Sequence, residues 1–483
     1  MQVGSSTPMS QNVVIGIDSS TQSTKAVAVD VATGAVLGEG RSAHTVSVGA
    51  ARESDPREWW RALGEAVAAT GFAERAAAVS VGGQQHGLVT LDTFGEPVRP
   101  ALLWNDVRSA PQAAALVAEL GRDTWAQRAG SVPGASFTAA KWAWLRENEP
   151  EAAARTAAVR LPHDYLTGRL SGAAATDRGD ASGTGWWTPE GYDLDLLARL
   201  GLDAAMLPTV VEAGKAAGEV LPGTGTGLRP GTLVAAGTGD NMAAALGLGL
   251  APGRPVLSLG TSGTVYAVTR GRPTDPSGTV CGFADALDHW LPLACTLNCT
   301  LAVDRTAALL GLDRQAVEPG GTAVVLPYFD GERTPDLPYA SGLIHGLRHD
   351  TTGGQLLQAA YDGAAYSLLA ALDQVLVAGG EQIDPGTELL LIGGGAQGTA
   401  WQDTVRRLSG RPVRIPAAGE LVALGAAAQA AALLTGERAD EVARRWGTSE
   451  GRLLEPLRRD DAALERIADT LHRSASLFDQ PTV

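Results

Sequence analysis

Cysteine is scarce. The 483 residues contain three, Cys281, Cys295 and Cys299, an odd set that makes no disulfide framework, and no Cys-x-x-Cys spacing is present for structural zinc. They read as reduced core thiols. Lysine is equally rare: of 38 basic residues only Lys25, Lys141 and Lys215 are lysines, so positive charge is written almost wholly as arginine. With 53 acidic residues the net charge is −15, which argues against a nucleic-acid or anionic-membrane partner, since both are gripped through clustered Lys and Arg. No apolar run approaches the ~18 residues that a membrane span needs. The first dozen residues lack the basic-then-apolar order of a signal peptide and read as a loose polar leader. These absences predict a soluble, cytoplasmic enzyme of two or three domains acting on a small polar molecule.

What is present is a set of strand ends that break into glycine, hydroxyl and carboxylate. In Ala235-Ala236-Gly237-Thr238-Gly239-Asp240-Asn241 an apolar run turns sharply, and a small-residue helix is expected over 242–248. Asp240 then sits at or beside the helix N-cap. Capping alone would explain an Asp there; its polar company elsewhere in the chain makes it the candidate catalytic base.

Val13 to Asp18, a turn at 19–24, and Lys25 to Asp30 read as a β-hairpin with a hydroxyl-rich tip. Thr21, Gln22 and Ser23 could hydrogen-bond phosphate oxygens, Lys25 could neutralise them, and Asp18 could hold Mg²⁺ directly or through water. An ordinary hairpin with a polar tip explains the segment equally well, and the P-loop pattern is missing. The arrangement recurs at Val256 to Val268 around Gly260-Thr261-Ser262. Two such hairpins, each opening an α/β half, predict a duplicated actin-like (ribonuclease H-like) ATPase fold whose two domains flank a cleft. A third cluster, Gly393-Gly394-Gly395-Ala396, follows the apolar Leu389 to Ile392. It suits either the close approach of an adenosine or tight packing that binds nothing. Gln84-Gln85-His86-Gly87 and Trp104-Asn105-Asp106 supply the donors, acceptors and apolar face that a desolvated polyol requires.

In order along the chain, these elements resemble the FGGY family of carbohydrate kinases. The likeness runs from about Val14 to about Leu434 and includes Gly16-Ile17-Asp18 with Lys25, Gln84-x-His86-Gly87, Trp104-Asn105-Asp106 and Leu161-Pro162-x-Asp164-Tyr165-Leu166. It continues through Gly239-Asp240-Asn241, Leu257 to Gly263, Gly331-Glu332-Arg333-Thr334-Pro335, Gly342 to Leu347, and Gly393 to Ala396. Ser20-Thr21 stand where relatives often carry Gly-Thr.

The resemblance implies transfer of the γ-phosphoryl group of Mg·ATP to a sugar, with D-xylulose the expected acceptor. Asp240 would be the base, and Gln85, His86, Trp104, Asp240 and Asn241 would contact the sugar. Thr21, Gln22, Ser23, Lys25, Gly260, Thr261, Ser262, Gly394, Gly395 and Ala396 would hold the nucleotide, with Asp18 and Asp240 near Mg²⁺. The expected division is a sugar-binding domain at 13–248, a nucleotide-binding domain at 253–437 and a helical tail at 438–483. Homodimerisation is compatible with these residues, which leave the oligomeric state open. A relative acting on ribulose, gluconate or glycerol would keep the nucleotide motifs, and a non-catalytic actin-fold nucleotide switch would keep the phosphate turns.

Overall fold

Two mixed β-sheets, built to one plan, organise the molecule; the structure is a computed structural model that describes residues 12–47, 49 and 51–478. The polar leader therefore lies, but for Asn12, outside the described residues. In the first sheet the strands Leu233–Ala235, Ala76–Gly83, Val13–Ser19, Ser23–Asp30 and Val36–Ala43 lie side by side in that order. In the second, Val413–Pro416, Leu389–Ile392, Pro255–Leu259, Gly263–Ala267 and Trp290–Thr296 do the same. Pair by pair the directions match: parallel, parallel, antiparallel, antiparallel. Each sheet is extended by one antiparallel strand beside its first member, Ala216–Glu219 and Gly451–Leu454. The duplication suggested by two hairpins is thus a strand-for-strand correspondence, and the fold is the two-domain α/β architecture expected.

Local sequence explains the hairpins. Val13 to Ile17 and Ala26 to Val29 are buried, mostly β-branched or small positions, and the register pairs Asp18 with Lys25 at the mouth of the turn. The first half closes around Ile15, Ile17, Trp59, Leu63, Val81 and Leu166; the second closes around Leu257, Val265, Tyr361, Leu368, Leu391 and Trp401.

Two helices join the halves by crossing over. Leu421–Thr435 is apolar on every side, the signature of a helix enclosed all round. Although it follows a strand of the second sheet, its alanines pack on Val14, Val27 and Ala78 of the first. Reciprocally, Asp240–Gly247 follows the first sheet but lays Met242, Ala245 and Leu246 on Val256, Tyr266 and Leu390 of the second. The helices meet backbone to backbone. A Cβ on Gly425 would stand 1.8 Å from the Ala243 carbonyl oxygen, and one on Gly247 would stand 2.0 Å from that of Leu421. Only glycine permits that approach.

The tail is not helical throughout. Ala439–Trp446 and Asp461–Arg473 are helices, but Gly451–Leu454 between them is the added strand of the second sheet, drawn in by the open edge of Val413–Pro416. Arg445 and Trp446 donate to the Val31 carbonyl, so the first of these helices returns to the first half.

Candidate active site

The helix Asp240–Gly247 begins at Asp240 itself, with Gly239 in the extended conformation at its N-cap. Asp240 thus lies beside the N-cap, one of the two placements expected, and does not itself cap the helix. Its carboxylate accepts instead from its neighbour, through the Asn241 backbone N–H at 2.8 Å and the Asn241 side-chain amide at 3.0 Å. The same amide donates to Gln85 Oε1 at 2.8 Å, which links the candidate base to the sugar side of the site.

A cavity of about 500 Å³ opens between the halves, lined among others by Asp18, Lys25, Asp240, Asn241, Gly394 and Glu420. Its inner wall is apolar where the strands Leu389–Ile392 and Val413–Pro416 end. The size and the mix of an apolar wall with a few convergent polar groups suit a nucleotide. Two carboxylates face this space without an arginine paired to either among the described residues. Burial, followed by the charges of Asp18 and Asp180, pushes Asp240 up to about 7. Burial also raises Asp18 to about 6, although the Ser20 hydroxyl (2.7 Å) and Lys25 pull it down. A helix N-terminus favours an ionised carboxylate, but at Asp240 desolvation and a second carboxylate outweigh it.

Lys25 does not stand free at the turn. It bonds Glu420 at 2.6 Å, across from one half to the other. Glu420 holds a left-handed backbone (φ 44°) at the start of the helix Leu421–Thr435, which aims its side chain back over the cavity. Thr21 is contacted by Trp104, whose indole N–H donates to its hydroxyl at 3.1 Å; Gln22 is exposed and Ser23 buried.

The glycine cluster is partly packed and partly open to the cavity. Gly393 and Gly395 are needed for packing, since a Cβ on either would meet Leu259 within 3 Å; Gly394 has open space and, with Ala396, lines the cavity. Gly260 and Thr261 do not line it. Their carbonyls receive Thr300 (3.1 Å) and Leu301 (3.5 Å), while Thr261 and Ser262 face solvent.

On the sugar side, His86 adopts φ 65° and holds its Nδ1 2.8 Å from the Gly183 carbonyl. Because a carbonyl only accepts, Nδ1 carries the proton and Nε2 is an acceptor. Burial, helped by the charge of Lys141, lowers its pKa to about 3, so the ring is neutral. Phe137 and Phe283 flank it, with ring centroids at 5.1 and 5.4 Å. Gln85 Nε2 is buried without a partner among the described residues, a donor available to a ligand. Asp106 is taken up elsewhere, by Arg108 and the Arg52 backbone.

A buried quartet lies behind Asp240, and only one of its members falls in a motif singled out in the sequence. His163 bonds Asp180 at 2.8 Å and lies 3.2 Å from Asp164 and 3.8 Å from Asp177. Asp177 in turn accepts from Thr238, in the strand that leads to Asp240. The Leu161-Pro162-x-Asp164 motif, singled out above, was the one pointer to this support.

Comparison with known proteins settles what the arrangement belongs to. The profile of the FGGY family of carbohydrate kinases, N-terminal domain, matches residues 13–247, and that of its C-terminal domain matches residues 256–434. The chain belongs to the FGGY family of carbohydrate kinases. A xylulose kinase of Streptomyces coelicolor is 68% identical over 97% of this chain and 98% of its own length. One of Streptomyces rubiginosus is 67% identical with the same coverage. Among solved structures, the xylulose kinase from Bifidobacterium adolescentis superposes with a TM-score of 0.83 at 37% identity, over 95% of this chain and 99% of that one. This FGGY kinase thus has ATP as its co-substrate and a sugar-type acceptor.

Proposed function

We propose that this kinase transfers the γ-phosphoryl group of ATP to the 5-hydroxyl of D-xylulose, with Asp240 accepting the hydroxyl proton. The observation that carries the reading is the position of Asp240. It faces the nucleotide-sized cavity beside Asp18, and through Asn241 it touches Gln85 on the sugar side. The two Streptomyces relatives named xylulose kinase, at 68% and 67% identity, support the choice of ketose.

In phosphoryl transfer there is little covalent work for the protein, so catalysis rests on positioning and charge. Asn241 orients the Asp240 carboxylate through two hydrogen bonds, leaving the other oxygen to the substrate hydroxyl. A base with pKa near 7 is well matched to neutral pH. Gln85 Nε2, His86 Nε2 and Asn241 pair the remaining hydroxyls, and Trp104 gives the sugar an apolar face. Asp18 and Asp240 fit Mg²⁺: two uncompensated carboxylates repel each other, and this ion binds through one or two carboxylates plus substrate phosphates. When bound, it would neutralise phosphate charge. Lys25, with the turn residues Thr21, Gln22 and Ser23, adjoins the phosphates; Gly260, Thr261 and Ser262, outside the cavity lining, would meet them only if the halves close. Gly394, Gly395 and Ala396 form the adenosine shelf. ATP dependence and the net charge of −15 favour a cytoplasmic location.

The test is coupled ADP detection on purified protein with D-xylulose, D-ribulose, D-gluconate and glycerol. D-Xylulose is expected to lead in kcat/KM by about tenfold or more. A better acceptor in the panel, or ADP release indifferent to sugar, would refute the reading.

A further inference from the structure

The segment Gly331-Glu332-Arg333-Thr334-Pro335 has so far no part in the chemistry, yet the fold spends much to hold it. Glu332 is buried at 1% exposure, and its carboxylate receives the backbone N–H groups of Leu297 (2.6 Å), Asn298 (3.2 Å) and Arg333 (2.7 Å) and the Asn298 side chain (3.1 Å). Thr334 donates to the Cys295 carbonyl at 2.7 Å. The segment is thereby clamped to the end of the strand Trp290–Thr296, and Arg333 is presented from a fixed backbone.

Its side chain points at the sugar side from the second half. Among the described residues it makes no ion pair, and its one side-chain hydrogen-bond partner is the Cys281 sulfur at 3.9 Å, a weak acceptor. Cys281 and Phe283 alternate onto one face of the strand Cys281–Ala284, and the Phe283 ring lies against His86. The Cys295 thiol is within electrostatic reach of both Arg333 and Asp240. Arg333 thus lies near the Phe283–His86 pair, close enough for its charge to act on the imidazole. It is absent from the lining of the nucleotide cavity, where Lys25 is the cation. A largely enclosed guanidinium with five donors and only sulfur to receive them calls for ligand oxygens.

Resting on the D-xylulose reading, we propose that Arg333 is a substrate-binding residue whose guanidinium donates to the C2 carbonyl of the open-chain ketose. The chemistry of the acceptor explains why such a contact is useful. In the furanose form of a 2-ketopentose, O5 closes the ring and cannot take a phosphoryl group. A free 5-hydroxyl exists in the open chain, in which the C2 carbonyl is exposed toward the other end of the molecule. A donor fixed where that carbonyl lies, with the hydroxyl at Asp240, selects the reactive form. His86 Nε2, beside Arg333, accepts from a neighbouring hydroxyl.

The experiment compares D-xylulose with xylitol, the pentitol in which that carbonyl is reduced, on wild type and Arg333→Gln. The variant should raise the KM for D-xylulose about 30- to 100-fold, the loss expected of a charge-assisted hydrogen bond. The inhibition constant of xylitol and the KM for ATP should stay within about threefold. Arg333→Lys keeps the charge and stem but loses the planar fork, so it should weaken D-xylulose alone by about tenfold even if the Gln variant folds poorly. Equal weakening of D-xylulose and xylitol, a rise in the KM for ATP instead, or unchanged D-xylulose kinetics would overturn the assignment. Wild type inactive on D-xylulose would defeat the functional reading itself, a result distinct from any of these.

Discussion

Replacing Asp240 by Asn tests the site through two readouts of opposite sign. Asn keeps an oxygen to accept the Asn241 N–H, so the helix start is preserved, but it cannot take a proton. Loss of a general base should lower kcat by about 10³-fold, with the KM for ATP little changed. Stability should move the other way. Burial and Asp18 hold the folded-state pKa near 7 against an ordinary value of 3.8, so the ionised group opposes folding at neutral pH. A displacement of about three pH units corresponds to roughly 4 kcal/mol, and water in the adjoining cavity screens part of it, leaving about 2–4 kcal/mol. The sign follows from linkage: the folded state binds the proton more tightly, so stability falls as pH rises from 3.8 through 7. The variant should therefore unfold at higher urea concentration than wild type at pH 8, and the advantage should shrink toward zero as pH falls to 4. Residual kcat above about 1% of wild type would remove Asp240 from the base role. A pH-independent stability difference would show that its carboxylate is not desolvated as described.

Two further outcomes follow from the packing. Gly425→Ala places a methyl group 1.8 Å from the Ala243 carbonyl oxygen, backbone that cannot step aside unless the crossed helices part. A loss of about 3 kcal/mol or more is expected in urea unfolding, with kcat/KM falling because Asp240 starts the partner helix; Gly134→Ala, with open space around it, should change stability by less than about 0.5 kcal/mol. His163 is fully buried, which disfavours its charge, but Asp164, Asp180 and Asp177 outweigh that and raise it to about 9. The stability it contributes is complete below its ordinary 6.5 and is lost as pH rises through 9, a decline of the order of 2–3 kcal/mol. Urea midpoints of wild type should fall between pH 7 and 9.5 more steeply than those of His163→Gln; parallel curves would contradict the assignment of charge to this ring.

Short-range patterns were readable in the chain, and distant partners were not. Two apolar runs around a hydroxyl-rich turn sufficed for each hairpin, and a strand breaking into Gly-Thr-Gly-Asp located the start of the helix to within two residues. Lys25 looked free because its partner Glu420 is 395 positions away and is aimed by a left-handed backbone. The helix Leu421–Thr435 reaches the cavity with its first residues, but a helix apolar all round carries no periodic face to say which sheet it will cover. His163 and Asp180 gave no sign of each other, since they pair only once the helices Pro162–Ser171 and Arg178–Ala181 are folded together. Gly395 and Gly394 are identical letters with opposite surroundings.

The exchange of helices has a consequence for the order in which the protein is made. The sheet that contains Val13 leaves the ribosome well before the alanines that cover Val14, Val27 and Ala78, which belong to residues 421–435. Domains generally fold as they emerge, N-terminal first. Here one face of the leading half stays uncovered until residues 421–435 have been made.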